Sequence, residues 1–190
     1  MGIVLASASP RRRELLSMLN VKDYRVIPAV GEEHIEKGKT PIEIVCSLSK
    51  EKAEEVSKNC SPSDIIIAAD TIVVLDGEVL GKPCDESEAF RMLTLLSGRE
   101  HEVFTGVTII QGGSVFSEFE KTLVRFREIS KREIDAYIQT GEPMDKAGSY
   151  GAQGIGSLFI EGIEGDFFNV MGLPLCRLSK MLEKLGVILI

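Results

Sequence analysis

The chain has little of what several common activities require. Its four cysteines, Cys46, Cys60, Cys84 and Cys176, are scattered, with no CxxC pair and no histidine at metal-ligand spacing. That argues against disulfides or zinc and for free thiols in a reducing cytoplasm. There are two histidines, His34 and His101; neither has a partner at a recognisable spacing, so both read as surface or packing residues. No apolar run approaches the ~20 residues of a membrane span. MGIVLASASP has no basic region ahead of its apolar stretch, so no signal peptide is expected. Internal repeats and low-complexity linkers are absent, as is a GxxxxGK phosphate loop. A net charge of −7 argues against a general nucleic-acid-coating surface.

What is present is 190 residues, 44% hydrophobic and 27% charged, enough for one globular domain or two closely joined lobes. GIVLAS reads as a short buried strand running into a helix at Pro10, and YRVIP as a second strand followed by a polar loop over 31–40. Thr40-Pro41-Ile42-Glu43 is a capping box that predicts a helix over 41–58. The apolar run from Ile65 to Leu75 predicts a strand buried on both faces, with Asp76-Gly77 turning it into a hairpin. Asp85 with Glu88 caps a helix ending at Ser97-Gly98. Strands over 101–111 and 115–127 meet at Gly112-Gly113, and Ser130 with Glu133 opens a helix that stops at Thr140-Gly141. A glycine-rich stretch with a strand-like SLFI precedes a last helix after Pro174. Strands alternating with helices, interrupted by hairpins, predict an α/β fold with a mixed sheet.

Three features exceed what folding requires. In SASPRRREL, residues 7–15, Ser9 is an N-cap and Pro10 the first helical residue, so Arg11, Arg12 and Arg13 fall in the first turn. Cations at the positive end of a helix dipole cost about 0.3–1 kcal/mol each, whereas an anion is stabilised there. At 100° per residue, Arg11 and Arg12 lie over the Leu15, Leu16 and Leu19 face while Arg13 points away. Lys52 shares a stripe with Val45, Leu48 and Val56, a core-facing position for a lysine, explained either by snorkelling or by an anion site. Asp70 is the one carboxylate between Ile65 and Leu75, costly there unless paired. It reads as a salt-bridge partner of Lys52 or Lys82, or as a metal ligand or general base. Lys82, Glu33 and Asp145-Lys146 complete the polar set. Inward cations with lone carboxylates suit a polyphosphate held with a divalent metal, Mg²⁺ or Mn²⁺.

SASPRRREL, AADTIVVLDGEVLGKP, LSGREHEVFTGV, EPMDKAGSYGAQG and GDFFNVMGLPL occur in an order and spacing that resembles the Maf family of nucleoside triphosphate pyrophosphatases, from about Leu5 to Leu175. The resemblance implies hydrolysis between the α- and β-phosphates, removal of non-standard nucleotides, and a link to arrest of septum formation. It implies one domain over 1–190: an elongated mixed sheet flanked by helices, with two lobes and a cleft, as in the inosine triphosphatase class. It also implies homodimers, and no stable nucleic-acid or membrane partner is expected. By motif, Asp70 would be the catalytic acid/base; Ser7, Arg12, Lys52 and Lys82 would line the phosphates; Glu33 and Asp70 would hold metal; Asp145 would be a further site residue. Arg11, Thr71 and Gln153 match positions that mark the subgroup acting on dTTP and UTP. A glutamine amide, with one donor and one acceptor, complements the O4 and N3–H edge of uracil or thymine. Ser149 and Ala152 depart from the family pattern and bear on base preference. The alternatives are the subgroup acting on 7-methyl-GTP and a non-catalytic nucleotide-binding regulator of septum formation.

Overall fold

A computed structural model describes residues 2–19, 21, 23–31 and 38–190. Along the chain run β1 (Ile3–Leu5), α1 (Pro10–Met18), β2 (Tyr24–Val26), α2 (Pro41–Ser57), β3 (Ile65–Leu75), β4 (Glu78–Leu80), α3 (Glu86–Leu96), β5 (Glu100–Gln111), β6 (Ser114–Phe126), α4 (Lys131–Ile138), β7 (Ile160–Glu164), α5 (Phe167–Met171) and α6 (Leu175–Glu183). Short 3₁₀ turns occupy Glu142–Asp145, Ala147–Ser149 and Ile155–Phe159.

Among the described residues the strands form one seven-stranded mixed sheet in the order β2-β1-β3-β5-β6-β7, with β4 on β3. β1 pairs in parallel with β2 and β3, whereas β4 and β7 run antiparallel to their neighbours. The α/β expectation with a mixed sheet therefore holds. β3 is buried on both faces along nearly its whole length, as its unbroken apolar run requires. Both hairpin turns need left-handed backbone: Asp76 and Gly77 have φ of 51° and 83°, Gly112 and Gly113 of 58° and 81°.

Helix starts follow their caps. Thr40 and Glu43 bond reciprocally at α2, and Ser130 and Glu133 do so at α4. At α3, Asp85 accepts from the Glu88 N–H, but the Glu88 carboxylate reaches back to Cys84 instead. The expected strand at SLFI is corrected: residues 155–159 form a 3₁₀ turn, and the strand starts at Ile160. The short helix α5 went unforeseen, because its five residues carry no helical period.

Contacts divide the chain into two compact units. The first comprises Met1–Asp70, Thr105–Glu120 and Gly172–Ile190. Its core gathers Val4, Ala6, Ala53, Val56, Ile66, Ala68 and Ile110. α2 lies so close to β5 that a Cβ on Gly106 would stand 2.3 Å from the Val45 carbonyl oxygen. The second comprises Thr71–Phe104 and Lys121–Met171, built around Val73, Leu93, Leu96, Phe126, Tyr137 and Phe159. Among the described residues no helix is long and apolar enough to cross a membrane.

Candidate functional site

In the first unit Ser7 and the arginines lie where β1 gives way to α1. Leu5 pairs with Ile67, and beyond the strand Ala6 still donates to the Ile67 carbonyl. Ser7 and the turn into α1 thus leave the carboxyl end of β1 beside β3, the end at which open parallel sheets bind ligands. The Ser7 hydroxyl accepts from the Ser9 N–H at 3.2 Å, and Ser9 caps the helix by accepting from the Arg12 N–H at 3.4 Å. No acidic side chain occupies the first turn.

The three arginines divide as the helical angle predicts. Arg11 and Arg12 are half-buried and Arg13 is exposed. Arg12 Nε donates to the Gly172 carbonyl at 2.7 Å, and its Nη1 makes a long 3.5 Å contact with Ser7 Oγ. The guanidinium is therefore anchored at one edge rather than solvated like a surface arginine. Leu15 and Leu16 are buried, and Leu19 falls just past the helix end.

Lys52 and Asp70 form an ion pair between Nζ and Oδ1, with 18% and 8% of their side chains exposed. The ion-pair partner seen for Asp70 is Lys52, one of the two cations open to it from sequence. The reason is register: Val45, Leu48 and Val56 are buried in α2, and the same stripe aims Lys52 at the middle of β3. An ammonium there offsets the cost of burying the carboxylate.

The second unit holds Thr71, Lys82, Asp145 and Gln153. Thr71 is half-buried, while Lys82 and Gln153 are exposed. Gly148 donates to the Gly81 carbonyl, so the segments carrying Lys82 and Asp145 run side by side. Asp145 accepts from Lys146 Nζ at 2.6 Å and is 66% exposed. Ser149 is buried, left-handed at φ 59°, and donates to the Met92 sulfur. Glu33 and His34 lie outside the described residues. His101 is a packing residue, 2% exposed and hydrogen-bonded through Nε2 to the Tyr150 hydroxyl.

The glycine-rich loop has an organiser that the sequence reading missed. Glu142 accepts from Tyr137 Oη and the Gly156 N–H on Oε1, and from the Ile155 N–H on Oε2. Burial works against its charge, yet the Gly156, Ile155 and Tyr137 donors and the Lys146 charge hold its carboxyl below the ordinary value. The available signal was the spacing of Gly151, Gly154 and Gly156. A Cβ at Gly154 would lie 2.8 Å from Glu142 Oε2, and one at Gly156 2.6 Å from the Tyr137 hydroxyl.

Among the described residues no three His, Cys, Asp or Glu side chains are grouped to hold a metal. Asp70 offers a hard oxygen donor of the kind Mg²⁺ or Mn²⁺ takes, and the other expected ligand, Glu33, lies outside those residues.

Comparison with known proteins matches residues 2–185 to the family described as Maf-like protein. A dTTP/UTP pyrophosphatase of Syntrophomonas wolfei is 50% identical over 184 residues, covering 96% of each chain. One from Bacillus cereus is 48% identical over 185 residues, covering 97% of this chain and 96% of that one. Among solved structures, a nucleoside-triphosphatase / dITP/XTP pyrophosphatase of Mycobacterium abscessus is 14% identical, with TM-score 0.43 over 74% of this chain and 95% of that one. With its motifs in order and the match running almost end to end, this chain belongs to the Maf family.

Proposed function

We propose that the chain hydrolyses nucleoside triphosphates between the α- and β-phosphates, releasing the monophosphate and pyrophosphate, with dTTP and UTP as substrates. The observation that carries the chemistry is the Asp70 carboxylate, 8% exposed in an otherwise uncharged strand and held by Lys52. The base preference rests on the relatives' names and on Arg11, Thr71 and Gln153 at the matching positions.

Arg12 and the α1 N-terminus attract the phosphates: the guanidinium is a planar cation anchored through Nε, and the dipole adds positive potential. Ser7 holds the turn, and the Lys52 ammonium, one donor of which goes to Asp70, supplies a second positive charge. Asp70 orients the attacking water and takes its proton as the water oxygen bonds the α-phosphorus. The bond from that phosphorus to the bridging oxygen then breaks, and its electron pair leaves with pyrophosphate. Lys82 and Asp145 keep the phosphate-facing and site roles that their motifs imply, and Glu33 with Asp70 would hold a divalent cation. When bound, such a cation neutralises phosphate charge. The free thiols suit a cytoplasmic setting.

The test is a panel. Pyrophosphate release from dTTP and UTP with Mg²⁺ or Mn²⁺ should exceed release from 7-methyl-GTP, and a chelator should abolish it. No release from any nucleotide would leave a binding regulator, and preference for 7-methyl-GTP would move the chain to the other subgroup.

A further inference from the structure

The loop at 151–156 has the glycines of a phosphate cradle, but its amides face inward to a carboxylate of the same chain. Ile155 and Gly156 direct their N–H groups at the two oxygens of Glu142, at 3.0 and 3.1 Å. Successive backbone N–H groups of this kind form the concavity that elsewhere takes a phosphate. Here it is already filled. The opposite end of the loop is tied to the same group: Gly151 donates to the Tyr137 hydroxyl at 3.1 Å, and that hydroxyl donates to Glu142 Oε1 at 2.8 Å. Tyr137 is itself fixed, 2% exposed, with its ring edge-on to Phe159 at 5.0 Å. Both ends of the loop therefore hang on one carboxylate, and Gln153 stands exposed at its tip.

We propose that Glu142 is a positioning residue for substrate choice: it closes the 151–156 loop around its carboxylate and so sets where the Gln153 amide is presented. The proposal rests on the reading of Gln153 as a residue that reads the base. Only a carboxylate fits the role. Its two oxygens accept all three donors, whereas a glutamine would turn its NH₂ toward an N–H or the hydroxyl. The glycines follow from the same closure, since a Cβ at 151, 154 or 156 would strike Lys146, Glu142 or Tyr137. A displacement of the amide by about 1 Å is enough to cost on the order of tenfold or more in discrimination.

The experiment compares Glu142→Gln and Gln153→Ala with the parent, measuring kcat and KM for dTTP, UTP and dCTP, and amide hydrogen exchange over 150–157. Glu142→Gln should lower the ratio of kcat/KM for dTTP over dCTP by about tenfold, with KM rising more than kcat falls. Exchange at Ile155 and Gly156 should speed up while the rest of the second unit keeps its protection. Gln153→Ala should lower the same ratio without changing loop exchange. A parent-like ratio in Glu142→Gln beside a lowered one in Gln153→Ala overturns the positioning role alone. So does an equal loss for all three nucleotides carried in kcat. A parent-like ratio in Gln153→Ala refutes the reading of Gln153, and the positioning role falls with it.

Discussion

Replacing Lys52 by methionine removes the ammonium from Asp70 while keeping an unbranched side chain only one atom shorter. The Asp70 carboxylate is 8% exposed, mid-strand, between Ala69 and Thr71, so little water can replace the lost partner. Breaking a buried pair from one side costs about 3–5 kcal/mol. For a chain of this size each kcal/mol moves Tm by roughly 2–4 °C, so Lys52→Met should lower Tm by roughly 6–20 °C. Asp70→Asn should cost less, because it leaves an amide oxygen for Lys52, and Lys52 at 18% exposure can turn toward water. The double variant removes both charges, and its Tm should recover most of the loss.

Activity should not follow that recovery. If Asp70 takes the proton from water, Asp70→Asn lowers kcat for pyrophosphate release from dTTP by about 10²–10⁴-fold, and the double variant stays as slow. Thermal melts and a coupled pyrophosphate assay on the four proteins separate structure from chemistry. Near-normal turnover by Asp70→Asn, or recovery of rate along with Tm in the double variant, would reduce Asp70 to a structural partner and refute the mechanism.

The arginines offer a sharper internal control. Arg12→Ala should cripple kcat/KM, while Arg13→Ala, at an exposed position, should be nearly silent; equal effects on turnover would undo the division of the run. Gly106→Ala should destabilise by about 1–3 kcal/mol or more, since its Cβ meets the Val45 backbone rather than a movable side chain; a parent-like melt would refute that close approach. Burial pushes the His101 pKa from 6.5 down to about 4. As pH falls through this window the unfolded chain takes up the proton first, so stability is lost between pH 6.5 and about 4, by up to roughly 3 kcal/mol. His101→Gln should flatten the fall of Tm over that range, and identical pH slopes for the two proteins would rule the contribution out.

Local chemistry made much of this fold legible. A capping box needs only four residues, so Thr40–Glu43 and Ser130–Glu133 announced their helices without reference to the rest of the chain. The hairpins at Asp76-Gly77 and Gly112-Gly113 were legible for the same reason, because left-handed backbone favours asparagine, aspartate and glycine. Helical angle alone separated Arg11 and Arg12 from Arg13 and turned Lys52 inward.

Pairings over long sequence separations were not legible. Sequence offered Asp70 two lysines, and the packing of α2 on the sheet is what brings Lys52 to it. SLFI, residues 157–160, reads as a strand because its apolar residues look the same in a 3₁₀ turn, yet only Ile160 joins one; the turn over 155–159 is fixed by a carboxylate at residue 142. Gly106 gives no sign in one dimension that the Val45 carbonyl will press against it. The sequence by itself determined where elements begin, where they turn and which side chains face inward, since those depend on neighbours within one or two turns. Tertiary structure alone decided which inward charges meet and which backbone amides an internal anion claims, because those contacts join residues brought together only when the sheet and its helices pack.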